Sequence, residues 1–146
     1  NNNNNLIMIK KKLKENFNDK RGSITDIFYK KNIRHVAIIK SKTGVKRGDH
    51  FHKKTTQWML ITKGALEYWY KKINSKKKPN KVVLRVGDLV ETPPYEMHAL
   101  KIIKKNEFIV FTIGKRGGKD YESDTYRFSP TLINSNKTNE SYKIQK

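Results

Sequence analysis

Four side chains could do chemistry together: His50, His52, Gln57 and, further along, His98. The first two stand at i and i+2 in Arg47-Gly48-Asp49-His50-Phe51-His52-Lys53-Lys54-Thr55-Thr56-Gln57. This run reads as strand, so both rings project from one face of a sheet. A histidine titrates at about 6.5, which lets it take or give a proton at neutral pH, and its neutral ring also ligates metals. Two chemistries follow. One is acid/base catalysis by His50 and His52. The other is a metal half-shell of His50, His52, His98 and the side-chain oxygen of Gln57, suited to Fe, Mn or Ni. A neutral Gln holds a hard divalent cation less well than a carboxylate does, which tilts the reading toward the metal-free chemistry. The fourth histidine, His35, lies outside this pattern and reads as a structural strand residue.

The elements that must position these residues are strands. Ile24 to Tyr29, Ile33 to Ile39, Gln57 to Thr62, Ala65 to Tyr70, Val82 to Val86, Asp88 to Glu91, Met97 to Ile103 and Phe108 to Ile113 are β-branched, aromatic or alternating runs. Turns are expected at Asp19-Lys20-Arg21-Gly22, Lys63-Gly64, Gly87-Asp88, Pro93-Pro94 and Lys105-Asn106, and Lys71 to Lys81 reads as an exposed hairpin tip. About nine short strands without an amphipathic helix predict an all-β sandwich or barrel. Residues 1–12, opening on five asparagines, read as a flexible leader or linker with at most a short pairing strand, 13–128 as the domain, and 129–146 as a polar, disordered tail.

The composition narrows the function classes. A chain of 146 residues with 35% hydrophobic content supports one domain. Cysteine is absent, which excludes disulfides and thiolate catalysis and fits a reducing, cytoplasmic location. No apolar run approaches the roughly 20 residues of a membrane-spanning helix. The net charge of +20 is spread over 33 Lys and Arg residues along the whole chain. That distribution reads as a solvated basic surface rather than a nucleic-acid footprint, and it suits a small acidic substrate such as a nucleotide diphosphate.

Gly44, His50, His52, Gln57 and Gly64, followed by Gly87, Pro93 and His98, are spaced so that the chain resembles the two motifs of the cupin superfamily. The resemblance covers Gly44 to Ile102 and implies a cupin-type double-stranded β-helix, or jelly roll. Tyr95 stands where a glycine is usual, and Ile102 where an asparagine is usual. Within the cupins, Arg47-Gly48-x-His50-x-His52-Lys53-x-x-x-Gln57 is similar to the signature of sugar-nucleotide 3,4-ketoisomerases. Asp19-Lys20-Arg21-Gly22, with Arg47-Gly48-x-His50, is similar to the dTDP-4-dehydrorhamnose 3,5-epimerase group. Asp120-Tyr121 and Asp124-Thr125-Tyr126-Arg127 resemble the ending of such sugar-modifying cupins.

The resemblance implies a homodimer, a dTDP- or UDP-linked 4-keto sugar as substrate, catalytic histidine and no required metal. A fusion to another enzyme of the sugar pathway is a further implication. A C4 carbonyl acidifies the C3 proton, and His50 is the expected base. His52 is expected to deliver a proton to C4, giving 3,4-keto exchange; return of a proton to the opposite face of C3 gives epimerisation instead. Arg47, or another donor lining the same mouth, is expected to stabilise the enediolate oxygen. Gln57, His98, Tyr95 and Tyr121 are expected on the substrate, with Tyr68 and Tyr70 as further candidates for stacking or proton donation. Lys53 and Lys54 read as turn-surface charges, with a role at the diphosphate as the lesser alternative. A non-catalytic cupin that binds a sugar or nucleotide is the remaining reading.

Overall fold

The computed structural model describes residues 8–146. Eleven strands form: β1 (Ile9–Lys12), β2 (Phe17–Asp19), β3 (Gly22–Ile24), β4 (His35–Ser41), β5 (Lys46–Phe51), β6 (Thr56–Lys72), β7 (Asn80–Arg85), β8 (Asp88–Thr92), β9 (Glu96–Ile113), β10 (Tyr126–Ser129) and β11 (Lys143–Gln145). Nine of them make one antiparallel sheet in the order β1-β8-β6-β9-β5-β10-β11, with β4 added on β9 and β7 on β6, while β2 and β3 form a separate hairpin. The expected jelly roll is present.

The spine is the pairing of β6 with β9, from Thr56 opposite Ile113 to Lys72 opposite Glu96. Lys63-Gly64 and Lys105-Asn106, expected as turns between separate strands, are instead irregularities inside these two long strands. The register shifts between Ile61 and Leu66, where Lys63 lies opposite Glu107 and Ala65 opposite Lys104. Such bulges bend a sheet without ending it. Gly64 is required there: its φ is +74°, and a Cβ would come within 2.2 Å of the Lys105 carbonyl oxygen. The run expected as a strand over Ile24 to Tyr29 also differs. Only Ile24 is paired, and the following loop sends Phe28 edge-on against Trp58 and Phe111.

Alternation along the bent strands sorts the apolar residues into layers. Met59, Ile61, Leu66 and Tyr68 of β6 meet Leu100, Ile102, Phe108 and Val110 of β9 in the interior, joined by Leu84 and Val90. Trp58, Leu60, Leu89 and Phe111 form a second layer under Phe28. A third, of Phe51, Trp69, Met97, Ala99 and Phe128, is closed by Leu132 and Ile133.

That third layer corrects the expectation of a disordered tail. Leu132 and Ile133 are buried, β11 pairs with β10, and the Leu132 N–H and Thr131 hydroxyl both donate to the Asp49 carboxylate (3.1 and 3.0 Å). Two adjacent apolar residues anchor a segment whose polar composition hides them. Of the two alternatives for the leader, the short pairing strand is the one present: Ile9–Lys12 pairs with β8, and Lys12 Nζ reaches the buried Asp88 carboxylate at 2.8 Å. Residues 1–7 of that expectation lie outside the described residues. Among the described residues, no helix is long and apolar enough to cross a membrane.

Candidate active site

The predicted alternation holds through the histidine strand: His50 and His52 face inward, and Phe51 between them enters the outer layer. Their placement depends on a bulge. β5 pairs Gly48 with Ala99 and then His50 with His98, the register shifting between Gly48 and His50, where Asp49 adopts φ +55°. Gly48 itself has φ +90°, and a Cβ there would lie 2.9 Å from the His98 carbonyl oxygen, so glycine lets the two strands close. His50, His52 and His98 thereby converge. Their ring centroids are 5.0 Å (His50–His52), 4.6 Å (His50–His98) and 5.5 Å (His52–His98) apart.

Two of the three rings are oriented by main-chain carbonyls. His52 Nδ1–H donates to the Asp124 carbonyl at 2.7 Å, and His98 Nδ1–H donates to the Glu96 carbonyl at 3.0 Å. A carbonyl can only accept, so Nδ1 carries the proton and each Nε2 keeps its lone pair. Both Nε2 atoms are buried and meet no hydrogen-bond partner among the described residues. Burial also keeps the rings neutral. It is the main cause that pushes His98 down to about 3, with the charge of His52 adding to it. His50 is held well below the ordinary histidine value by burial and then by His98 and His52, and His52 is lowered chiefly by burial.

Around the cluster stand groups of unlike polarity. Tyr68 is buried, stacks parallel to His98 (centroids 6.1 Å, 5° between planes) and shares a short hydrogen bond with the Thr92 hydroxyl. Tyr70 lies opposite His98 in the β6–β9 register. Glu96 is buried one pleat before His98, and burial raises its carboxyl to about 8. Gln57, also buried, points to the same inner side as Met59, between Thr92 of β8 and Thr112 of β9.

The remaining expectations divide. Arg47 is engaged elsewhere: its Nε donates to the Ser41 hydroxyl (2.8 Å) and its Nη2 to the Lys40 carbonyl (3.2 Å), beside the β4–β5 turn. Tyr121 is half-exposed and meets His35 edge-on at 5.6 Å, apart from the three histidines. Tyr95 lies at the turn before β9 with φ +65°, which accounts for the glycine usual there. Its N–H donates to the His52 carbonyl (2.7 Å), and its ring stacks on Phe51, on the outer side of the strand.

Three residues at the cluster escape sequence reasoning. Arg116 places its positive charge close enough to depress all three histidines. Its Nη1 donates to the Tyr121 carbonyl (2.7 Å) and the Thr125 hydroxyl (3.1 Å). In sequence it sits in Gly114-Lys115-Arg116-Gly117-Gly118, which looks like any solvated basic turn. Asp124 supplies the carbonyl that orients His52, while its carboxylate receives the Lys53 and Lys54 N–H groups (3.0 and 2.8 Å) and the Thr55 hydroxyl (2.8 Å). Asp124-Thr125-Tyr126-Arg127 was the signal available for it. Glu96 carried no sequence signal.

Outside the cluster, a cleft of about 650 Å³ is lined by Arg34, Lys53, Lys54, Lys115, Arg116 and Lys146, with Asp120, Ser123, Asp124 and Tyr126. Arg116 and Asp124 belong to both the cleft and the histidine cluster.

A jelly roll with three inward histidines at one end is a cupin. The chain belongs to the family described as the polysaccharide biosynthesis C-terminal domain, whose model matches residues 17–126. No curated protein matches the sequence. Among solved structures, the fold is similar to dTDP-4-dehydrorhamnose 3,5-epimerase from Sulfolobus tokodaii, with TM-score 0.70 and 20% identity over 88% of this chain and 80% of that one. It is also similar to the 3,4-ketoisomerase QdtA from Thermoanaerobacterium thermosaccharolyticum, a double mutant in complex with TDP, with TM-score 0.64 and 21% identity over 81% and 85%. The TDP-fucose-3,4-ketoisomerase WlaRA from Campylobacter jejuni has TM-score 0.64 and 16% identity over 79% and 87%.

Proposed function

We propose that the protein is an isomerase or epimerase for a nucleotide-diphosphate-linked 4-keto-6-deoxy sugar, working by histidine acid/base proton transfer beside the carbonyl, without a metal, in deoxysugar or polysaccharide biosynthesis. The observation that carries this reading is the pair His52 and His98, whose Nδ1 protons are spent on main-chain carbonyls so that neutral Nε2 lone pairs converge with His50. His50 takes the C3 proton, and the electrons of that bond form the enediolate. A bare Nε2 on His52 starts as an acceptor, so it takes the proton of a sugar hydroxyl before giving one to C4. Arg116 fills the oxyanion role expected of Arg47. The family match and the activities of the structural neighbours support the substrate class.

The test is proton exchange in deuterated water, with dTDP- and UDP-4-keto-6-deoxyglucose and NMR of the products. Wild type incorporates deuterium next to the carbonyl, and His50→Ala abolishes this while nucleotide binding persists. Exchange at the wild-type rate in the variant refutes His50 as the base.

One observation favours a second reading. Three neutral imidazoles have ligand atoms within 4.8 Å of one another, and main-chain carbonyls orient two of them as carbonyls orient metal-bound histidines. His50, His52 and His98, with Gln57, would hold Fe, Mn or Ni, which would supply Lewis acidity. Stoichiometric metal in untagged protein, with activity lost on its removal, would select this reading over the metal-free one.

A homodimer fits the edge of β4 that no other strand pairs among the described residues, where Val36 and Ile38 are exposed and uncharged side chains run from His35 to Ile39. Light scattering behind gel filtration measures it. The family's description as a C-terminal domain supports fusion to another enzyme of the pathway, and the lack of cysteine supports a cytoplasmic location.

A further inference from the structure

The basic cleft is assembled from segments far apart in sequence. Arg34 precedes β4, Lys53 and Lys54 follow β5, Lys115 and Arg116 follow β9, and Lys146 follows β11. Six cations thus face one concavity that holds two carboxylates, and one of these, Asp124, is already occupied by main-chain N–H groups. Like charges gathered this closely repel, and folding gains nothing from collecting them unless an anion joins them. Two of the cations are held in place. Lys53 and Lys146 both stand over the Tyr126 ring, at 4.2 and 4.9 Å from its centroid, and Lys146 Nζ donates to the Ser123 carbonyl at 2.7 Å. Arg116 is the half-buried member, and it alone among them also bears on all three histidines.

We propose that this cleft binds the diphosphate of the substrate, and that the C-terminal segment is part of the binding site because it delivers Lys146 to the cleft. This rests on the nucleotide-sugar reading and deepens it. A diphosphate offers oxygens on two adjacent centres, enough to engage the Lys53–Lys54 side and the Lys115–Arg116 side of the cleft at once, whereas a single carboxylate reaches one of them. The cleft volume lies within the usual range for nucleotide-sized ligands. Arg116 then joins the two ends of the substrate, with phosphate on the cleft side and the reacting sugar on the histidine side.

The test is calorimetric titration of the full chain with inorganic pyrophosphate, UDP, dTDP and a short DNA duplex, repeated for Lys54→Gln, Lys146→Gln and the double charge reversal Lys54→Glu/Lys146→Glu. Both lysines are exposed, so the variants fold. Each neutralisation is expected to weaken pyrophosphate and both nucleotides by about five- to tenfold, and the reversal by about a hundredfold or more. Lys146→Arg is expected to retain binding. Pyrophosphate affinity within about twofold of wild type in the reversed variant overturns the proposal, as does duplex DNA displacing the nucleotides at lower concentration than pyrophosphate does. If nucleotides bind through these lysines and no keto sugar turns over, the subsite stands and the proposed reaction falls. If the reversed variant converts a keto sugar with unchanged KM, the subsite falls and the reaction stands.

Discussion

Asp124→Asn tests how far the site depends on one buried carboxylate. Asp124 Oδ1 accepts the Lys53 N–H at 3.0 Å, and Oδ2 accepts the Lys54 N–H and the Thr55 hydroxyl, both at 2.8 Å. An asparagine has one acceptor oxygen. Turned toward Lys54 and Thr55, it keeps two bonds but loses their charge assistance, about 1 kcal/mol each, and its amide N–H₂ faces the Lys53 N–H, leaving a donor unpaired for about 1–3 kcal/mol. The sum is about 3–5 kcal/mol, a large part of a domain's usual stability. Urea unfolding at about pH 7 measures it. The pH dependence sharpens the test. Burial acts to raise the Asp124 carboxyl, but the hydrogen bonds from Lys53, Lys54 and Thr55 outweigh it and hold the group below its ordinary 3.8. A lowered carboxyl contributes stability that is present above its unfolded pKa and is lost as pH falls through the folded one. The gap between wild type and variant therefore narrows below about pH 4. The Asp124 carbonyl remains to hold His52 Nδ1, so exchange activity falls less than in His52→Ala. A stability change under about 1 kcal/mol, or a gap that widens in acid, would refute this account of the carboxylate.

Other perturbations probe the surroundings. Burial raises Glu96 to about 8 from an ordinary 4.5, so stability is greatest below about pH 4.5 as far as this group is concerned and declines as pH rises toward 8. Glu96→Gln flattens that decline, and urea midpoints at about pH 6 and pH 8.5 that fall equally in both proteins would count against a neutral Glu96. Leu132→Ala removes a fully buried side chain from the C-terminal segment and is expected to cost about 2–4 kcal/mol. Limited proteolysis of that variant should cut first after residue 129, and an unchanged stability would mean that the segment is not part of the core.

The sequence pattern gave the fold through its strand runs and the Gly44-to-His98 spacing, because alternation and glycine placement are local signals. The inward pair His50 and His52 was legible for the same reason. Arg47 was not, because its side chain follows a long flexible stem to Ser41 and Lys40, a choice made by tertiary contacts. Arg116 and Asp124 reach the cluster only through the return of the 114–125 segment across the barrel end, which no local period encodes. The bends at Gly64 and Asn106 looked like turns because composition marks a break in regularity, and only register distinguishes a bulge from a chain reversal. The C-terminal segment was hidden by its polar residues around Leu132 and Ile133.

The separation of the site's partners along the chain has a kinetic consequence. His52 meets a carbonyl 72 residues away, His50 meets His98 across the same barrel end, and β5 is covered by β10, itself held by β11. Closing such long loops is entropically slow, and non-local pairings set the pace of β-rich folding. The histidine cluster is therefore complete only when the last strands have docked. Refolding followed by exchange activity should lag behind refolding followed by the burial of Trp58, which packs with Leu60, Leu89 and Phe111 away from the C-terminal segment, so that catalysis reports the final step of assembly and not the collapse of the core.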